Sequence, residues 1–378
     1  MKDVVTSIDL LGGEPLLHPN IIDIIETANM YGIKTSVVTN GQFDGEIIER
    51  LINSNIENIV ISIEGMKNAN DDIRGSGSWD NAMFFLQKAC EYIKKKNSLT
   101  QIGINIVVNR FNKDEIIDLI DFTKIYDINY QITHLVAKGN AVKNLNKLDL
   151  DAEELIAFYE SLCEYWIENP NLKIKLVQAP HLLEKYLSRK YGVNIQIVEN
   201  KCVAGTQMIS MDPYGNVFPC NLYKSGVEMH NILKHSLCDI FSSFHNFLPL
   251  TAHNQSSNCI DCDFRHICFN CPFSDKKGAH PLCSAAKKKI EALDIPLNAY
   301  FKLNGPVINM NSDFTKIFFP KLNIMTEYTK EGATILKLIN NNYENLESIQ
   351  MESCIDIDLI YEFLLQEKHE VKVIELRR

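Results

Sequence analysis

The chain has 378 residues, with 38 Lys and Arg against 48 Asp and Glu, which gives a formal net charge of −10 at pH 7. This length favours two or three hydrophobic cores and excludes a small disulfide-stapled domain. The acidic balance argues against nucleic acid as a partner, because phosphate contacts need a basic surface. No apolar stretch approaches the roughly 18 to 20 residues of a bilayer crossing, and no secretory signal opens the chain, so we expect a cytoplasmic protein without membrane contact.

The first part of the chain alternates β-branched runs with amphipathic stretches, which is typical of buried parallel strands joined by helices. Strands are predicted near residues 4–11, 34–39, 58–63, 101–108 and 129–136. Helices are predicted near residues 20–31, 45–53, 79–96 and 113–126. The pattern predicts either a doubly wound sheet or a barrel, and both place their chemistry on the loops after the strands.

The loops after these strands are rich in Gly and Asn. They read GGEP at residues 12–15, TNG at 39–41, SIEG at 62–65 and VVNRFN at 107–112. Glycine after a strand gives a tight turn and lets backbone amides approach a ligand closely. The TNG loop and Asn109 are candidates for lining a cavity, and equally for forming turns or capping helices, which Asn favours.

The rest of the chain changes character twice. A long helix at 151–168 and a strand at 173–177 precede a mixed segment that ends at residue 200. A cysteine-rich region full of turn residues follows, and short strands (300–309, 316–319) and helices from Lys330 and Asp356 come last. We therefore divide the chain into residues 1–200, 201–295 and 296–378, the last being a small α+β module.

Eleven cysteines need an explanation other than disulfides in a reducing compartment, where clustered Cys usually indicates metal or catalysis. Cys90, Cys163 and Cys354 stand alone and are expected to be core thiols, as is Cys238. The other seven include two CxxC pairs only five residues apart, which is short for a zinc ribbon. Seven thiolates suit iron-sulfur clusters better than one tetrahedral zinc, which stays an alternative.

The cysteine spacing resembles the SPASM domain of radical S-adenosylmethionine (SAM) enzymes. It runs Cys202-x12-Gly215-x4-Cys220, then Cys259-x2-Cys262-x5-Cys268-x2-Cys271, then Cys283, with x2 before Cys271 where x3 is usual. The resemblance implies two auxiliary 4Fe-4S clusters. One would be bound by Cys259, Cys262, Cys268 and Cys283, and three irons of the other by Cys202, Cys220 and Cys271. Met208 stands where some members have a fourth Cys, so this site is expected to be open to substrate or filled from elsewhere.

The N-terminal half is similar to the partial barrel of the same superfamily. The loop of Gly12, Gly13, Glu14 and Pro15 looks like the motif that receives the amino group of SAM. Ser62 and Arg74 resemble the pair that holds the SAM carboxylate. This is chemically reasonable, because a carboxylate accepts from an ammonium and a guanidinium binds a carboxylate.

The N-terminal part of the sequence departs from the pattern of the family. The family carries CxxxCxxC after its first strand, where three thiolates hold the cluster that cleaves SAM, whereas no cysteine here precedes Cys90. The resemblance implies a partial (β/α) barrel that lacks its first βα unit, so this chain alone should not generate the radical. The preferred explanation is a fragment whose start was misplaced, and the alternatives are half of a split enzyme and a degenerate member of the family.

The resemblance implies peptide or protein maturation, through a 5'-deoxyadenosyl radical, in the complete enzyme. Its partners would be a peptide substrate, with or without a leader peptide, and an electron donor such as flavodoxin or ferredoxin. The tail from about Pro296 resembles a PqqD-like leader-binding element, which adds a peptide to a sheet edge, or else is a small packing domain. The alternatives in function are a non-catalytic iron-sulfur peptide-binding partner and a zinc-binding adaptor.

Overall fold

The structure is a computed structural model that forms two compact units. One unit comprises Met1–His181 and Ile197–Leu282, and the other comprises Leu182–Gln196 and Cys283–Arg378. The predicted boundaries after residues 200 and 295 stay predictions. The structure describes residues 5–135, 140–177, 179–192, 203–221, 230–247, 281–293, 300–303, 308–309, 316–319, 324–327, 329–340, 349, 360, 363–364 and 374–377.

A parallel sheet of six strands forms the centre of the first unit. The strands are β1 Ser7–Leu10, β2 Lys34–Thr39, β3 Asn58–Ser62, β4 Gln101–Val108, β5 Asn129–His134 and β6 Lys173–Val177. They lie in the sheet in chain order, and every neighbouring pair is parallel. A doubly wound sheet reverses its strand order, whereas the wall of a barrel does not. The predicted α/β fold with a partial barrel is therefore confirmed.

Helices connect and follow the strands of this sheet. They are α1 Ile21–Met30, α2 Gly45–Asn53, α3 Lys67–Arg74, α4 Ser78–Lys96, α5 Ile116–Thr123, α6 Asn140–Leu148 and α7 Ala152–Glu168. The four predicted crossover helices and the long helix are confirmed, although the one predicted over 113–126 is α5 followed by a 3-10 turn. We did not predict α3, because its sequence KNANDDIR carries no apolar stripe for periodicity to detect.

The core lies between the sheet and its helices. On β3 and just beyond it, Ile59, Ile61 and Ile63 have no exposed surface, and neither do Phe85 and Leu86 of α4. Full burial of such a side chain stabilises the fold by about 1.5 to 3 kcal/mol. The same burial fixes where each strand ends, and hence where the loops of GGEP and SIEG project.

Asp71 of α3 caps the start of α4. Its Oδ1 accepts hydrogen bonds from the Trp79 N–H (2.8 Å) and the Ser78 hydroxyl (3.1 Å), and its Oδ2 accepts from the Gly77 N–H (3.1 Å). These donors, the Trp79 N–H above all, lower the pKa of Asp71, with a smaller contribution from the Lys67 ammonium. The ionised carboxylate therefore stabilises the folded state, since its donors face the charge.

Replacing Asp71 with Ala is expected to lower the melting temperature at neutral pH and to have less effect in acid. A depressed pKa in the folded state contributes stability above the unfolded value of about 3.9, and this contribution disappears as pH falls through the folded value. Thermal denaturation of both proteins from pH 7 to pH 3 measures the difference. A gap between the two melting temperatures that stays constant over this range would contradict the capping role.

Shorter elements follow the sheet within the first unit. They are β7 Ser210–Met211, β8 Asn216–Phe218, β9 His230–Asn231 and α9 Leu237–Phe247, with β8 antiparallel to both neighbours.

Cys238 lies on α9 and is exposed, so its expected place in the core was wrong. The reason is helical phase, because Ile240 and Phe244 form the buried face of α9. Cys163 on α7 is buried, as predicted, and Cys90 on α4 is half-buried, with burial raising its pKa to about 11.

The second unit holds most of α8 His181–Tyr191 and, from Cys283 onward, the C-terminal elements. These are α10 Pro281–Leu293, β10 Tyr300–Leu303, β11 Ile308–Asn309, β12 Lys316–Phe319, β13 Ile324–Glu327, α11 Lys330–Asn340 and β14 Ile374–Arg377. The single strand predicted over 300–309 was wrong, because β10 pairs with β14 whereas β11 pairs with β12. The sequence between them, NGP at 304–306, holds two residue types that interrupt strands. The helix from Lys330 is confirmed, and the one from Asp356 lies largely outside the described residues, as does Cys354.

Helix length and hydropathy bear on the expected lack of membrane contact. Within the described ranges, no helix is both long enough and apolar enough to cross a bilayer.

Candidate cofactor-binding site

The candidate site lies along the carboxyl edge of the parallel sheet. The GGEP loop follows β1, the TNG loop ends β2, and the SIEG loop ends β3, so the three loops lie on consecutive strands. Neighbouring strands are about 4.8 Å apart, which brings side chains from these loops within reach of one ligand. This is the edge where parallel α/β folds place their chemistry.

The side chain of Glu14, which follows β1, reaches to the end of β2. Its Oε1 accepts hydrogen bonds from the Thr39 hydroxyl (2.8 Å) and the Leu16 N–H (3.2 Å), and its Oε2 accepts from the Asn40 N–H (2.8 Å). The side chain is half-buried, so it is fixed without being closed off from a ligand. A carboxylate has about four acceptor positions, which leaves one for an ammonium.

The glycines of the two loops serve different purposes. Gly12 and Gly13 have φ of +89° and +56°, and a Cβ on either would meet no atom of the described residues within 4 Å. Their backbone conformation requires glycine, and space for a ligand lies beside them. Gly41 has φ of +72°, and a Cβ there would lie 3.1 Å from Ala82 Cα. Glycine at 41 therefore serves packing between β2 and α4.

The asparagines that sequence analysis singled out form turns. Asn40 Oδ1 accepts from the Gln42 N–H at 2.8 Å. Asn109 is buried, its Oδ1 accepts from the Phe111 N–H at 2.9 Å, and its Nδ2 donates to the Val107 carbonyl at 2.9 Å. Of the two alternatives for these residues, turn formation accounts for their contacts.

Ser62 and Arg74 come from adjacent elements. Ser62 is the last residue of β3, is 8% exposed, and its hydroxyl makes no hydrogen bond to any residue in the described ranges. Arg74 is the last residue of α3. Its Nε and Nη2 donate to Glu64 Oε1 at 3.1 and 2.5 Å. The structure therefore adds an ion pair that the sequence analysis missed.

Glu64 is the functional candidate that sequence reasoning overlooked. It lies in the quoted SIEG loop but was assigned no role. The sequence feature that could have indicated a role is that Glu64 directly follows the strand-like run NIVISI and precedes Arg74 by ten positions. Such a residue is buried with its partner or is exposed at the sheet edge, and the structure shows that it is 4% exposed.

His134, the last residue of β5, is in contact with α7. It is buried, and its Nε2 lies 2.6 Å from the Tyr159 hydroxyl oxygen. Burial raises the pKa of Tyr159 far above its ordinary value, so the phenol stays neutral. This pair ties β5 to α7.

The residues of the edge fit SAM chemically. The amino acid part of SAM carries an ammonium and a carboxylate on one carbon, so it needs an acceptor and a donor close together. Glu14, held over the end of β2, offers the acceptor, and Arg74 with Ser62 beside β3 offers the donors. The open space beside Gly12 and Gly13 admits a ligand.

The predicted cluster ligands fall mostly outside the described residues. Cys220 follows β8 and is 5% exposed, and Cys283 lies on α10 in the other unit. The Gly205 N–H donates to the Pro219 carbonyl at 3.0 Å, so the chain just after Cys202 runs beside Cys220. Across the described ranges, no three His, Cys, Asp or Glu side chains are placed to share an ion. The ligand sets stay predictions for Cys202, Cys259, Cys262, Cys268 and Cys271, which lie outside the described residues.

Comparison with known proteins gives two family matches and a set of distant relatives. The model of the Radical SAM superfamily matches residues 1–123, and that of the SPASM iron-sulfur cluster-binding domain matches residues 202–263. The AdoMet-dependent heme synthase of Methanosarcina barkeri is 24% identical over 277 residues, which are 69% of this chain and 76% of that protein. The mycofactocin maturase MftC of Mycobacterium ulcerans is 24% identical over 215 residues, which are 56% of this chain and 54% of MftC.

Solved structures share the fold. SuiB of Streptococcus suis bound to S-adenosylmethionine has a TM-score of 0.55 at 20% identity, over 69% of this chain and 60% of SuiB. SuiB bound to precursor peptide SuiA gives 0.55 at 19% identity, over the same shares. This chain thus spans little more than half the length of MftC and SuiB. Its parallel sheet, its loop motifs and both family matches agree: the chain carries a radical SAM superfamily domain and a SPASM iron-sulfur cluster-binding domain.

Proposed function

We propose that this chain provides the SAM-binding edge and the auxiliary cluster domain of a radical SAM enzyme that matures a peptide. The observation that carries the proposal is that the carboxyl edge of one sheet presents both a fixed acceptor and a fixed donor. The acceptor is Glu14, which is held at the end of β2, and the donor is Arg74, which is held by Glu64 just beyond β3. A peptide substrate is supported by the similar proteins, since MftC is a maturase and the structure of SuiB has been solved with a precursor peptide.

Each residue of the edge has a defined task in this proposal. Glu14 accepts a hydrogen bond from the ammonium of SAM, and Arg74 and Ser62 donate to its carboxylate. Bound SAM, when reductively cleaved, supplies the radical that takes a hydrogen atom from the substrate. Gly12 and Gly13 keep the loop in a conformation that other residues rarely adopt, which leaves the ligand room.

The sequence contains no CxxxCxxC segment. We therefore propose that SAM cleavage needs such a segment in addition to the residues present here, with a flavodoxin or ferredoxin as electron donor. The cysteines of the SPASM domain would hold two auxiliary clusters. The C-terminal module, whose strands β11 to β13 form an antiparallel sheet, is proposed to bind the substrate peptide along a sheet edge.

The test of peptide maturation is mass spectrometry of the short peptides encoded beside the gene, in source cells with and without that gene. We expect one peptide to lose mass through hydrogen removal only when the gene is present. Complementation with the wild-type gene should restore the change, and complementation with Arg74→Ala should not. If every peptide has the same mass in all strains, the proposal of a peptide substrate is refuted.

A non-peptide substrate is the second candidate. The match to the heme synthase covers 76% of that protein, a larger share than the match to MftC. Unchanged peptides, together with a small molecule that accumulates only in the deletion strain, would favour this candidate.

A further inference from the structure

Glu64 is a buried carboxylate held at four points. Its Oε1 accepts from Arg74, and its Oε2 accepts from the Val107 N–H at 2.8 Å. Its main-chain N–H donates to Asn70 Oδ1 at 2.9 Å, and its carbonyl accepts from Asn112 Nδ2 at 2.6 Å. Both asparagines have no exposed surface. The position of Glu64 is therefore set by α3, by β4 and by the loop after β4.

The ion pair uses only one part of the arginine. A guanidinium has five N–H donors, and Glu64 takes one from Nε and one from Nη2. No residue in the described part of the chain accepts a hydrogen bond from Nη1. The Arg74 side chain is 27% exposed and that of Glu64 is 5% exposed, so the unused donors belong to the accessible partner.

The same contacts bring the guanidinium to the side of Ser62. The Ile63 N–H donates to the Asn105 carbonyl at 3.2 Å, so β3 continues to pair with β4 beyond its last residue. Side chains alternate along an extended strand, so Ser62 and Glu64 face one side while Ile63 faces the core. Arg74, bound to Glu64, thus lies on the face where Ser62 presents its hydroxyl.

We propose that Glu64 is a positioning residue that fixes the Arg74 guanidinium for the carboxylate of SAM. The inference rests on the proposed function of this edge and extends it to a residue that need not touch the ligand. An arginine on a short exposed helix end would sample many rotamers, and the buried carboxylate removes that freedom before the ligand arrives. The remaining Nη1 and Nη2 hydrogens then form a ready pair for a second carboxylate.

The rival explanation is a structural ion pair in which Arg74 only neutralises Glu64. The two explanations differ in what the ligand carboxylate contributes. The test measures dissociation constants by equilibrium dialysis for SAM and for decarboxylated SAM, which lacks only that carboxylate, on the full 378-residue chain. The readout is the ratio of the two constants, because general damage to the fold changes both constants together.

We expect the wild-type chain to bind SAM at least about tenfold more tightly than decarboxylated SAM, and Arg74→Ala to remove most of the difference, since only the Ser62 hydroxyl is then left to donate to the carboxylate. Glu64→Gln, which keeps the shape and removes the charge, should lower the ratio at least about fivefold with little change for decarboxylated SAM. Glu115→Gln is the matched control. Its carboxylate accepts from the Met66 N–H at 3.0 Å in the same region and makes no hydrogen bond to Arg74.

Four outcomes would overturn the inference. If the wild type binds neither ligand, the SAM-binding edge itself is refuted and the inference with it. If Arg74→Ala lowers the ratio of the two constants toward one and Glu64→Gln leaves it at the wild-type value, the proposed SAM site is retained and Glu64 has no positioning role. If Glu64→Gln weakens both ligands equally, the ion pair is structural. If circular dichroism shows that Glu64→Gln does not fold, Glu64→Asp is used instead, because it keeps the charge on a side chain that is one methylene shorter. An unchanged ratio of the two constants in Glu64→Asp refutes the inference.

Discussion

Replacing Cys259 and Cys268 together with Ala is expected to remove about half of the iron and sulfide that the chain binds, because both thiolates are assigned to one of two 4Fe-4S clusters. Removing two of four ligands leaves a cluster that cannot be retained. The measurement is iron, sulfide and zinc content after anaerobic purification and reconstitution, with the visible charge-transfer band as a second readout. The remaining half of the iron should depend on Cys220.

Two other cysteines serve as controls for this prediction. Cys163 is buried on α7, and Cys238 is exposed on α9, so one tests thiol loss in the core and the other tests it at the surface. Alanine at either position should leave the iron content unchanged. A colourless protein that binds zinc and holds no sulfide after reconstitution would contradict the cluster assignment and support the zinc-binding adaptor.

The strands of the sheet could be predicted from the sequence because they are short runs rich in Ile and Val. In β2, β3 and β5 most residues alternate between buried and partly buried. Turn residues bound the runs NIVIS of β3 and QIGINIVV of β4. Their order in the sheet did not follow from this pattern, since helices between successive strands make the strands parallel in a doubly wound sheet as well as in a barrel. The C-terminal module was harder, because antiparallel partners such as β10 and β14 lie more than seventy positions apart.

The site could be predicted only in its parts. The resemblance assigned Glu14 within the GGEP loop and Ser62 with Arg74 as a pair, and the TNG loop was a separate motif. Sequence reasoning could not find that Glu14 is fixed by Thr39 and Asn40, because that contact joins loops 25 and 26 positions apart and depends on strand register. Such long-range contacts leave no local pattern.

The ion pair of Glu64 and Arg74 was missed for a related reason. Helix α3 is polar, and only Ala69 and Asn70 of it are buried. Its position is fixed by hydrogen bonds rather than by an apolar stripe. Asn70 accepts from the Glu64 N–H and donates to the Ser78 hydroxyl, and Asp71 accepts from the Trp79 N–H. Periodicity detects hydrophobic faces, so an element held by buried polar contacts is invisible to it.

Changing Glu14 to Gln is expected to weaken SAM binding by about tenfold or more, because the ammonium loses its counter-charge. Binding of decarboxylated SAM should fall by the same factor, since that ligand keeps the ammonium. The ratio of the two constants therefore stays unchanged, which separates this variant from those of Glu64 and Arg74. An amide also offers one oxygen where Leu16, Thr39 and Asn40 now donate to two, so a thermal melt should show some loss of stability.

Thr39→Val provides the matched control for Glu14→Gln. It is nearly isosteric and removes one hydrogen bond to Glu14 Oε1 and the acceptor of the Gly41 N–H, while the charge of Glu14 remains. Because Thr39 is 1% exposed, the loss should cost about 1 to 3 kcal/mol of stability, with a much smaller effect on SAM affinity than Glu14→Gln has. If both variants weaken SAM equally, the loop geometry and not the charge of Glu14 governs binding, and the assignment of Glu14 to the ammonium fails.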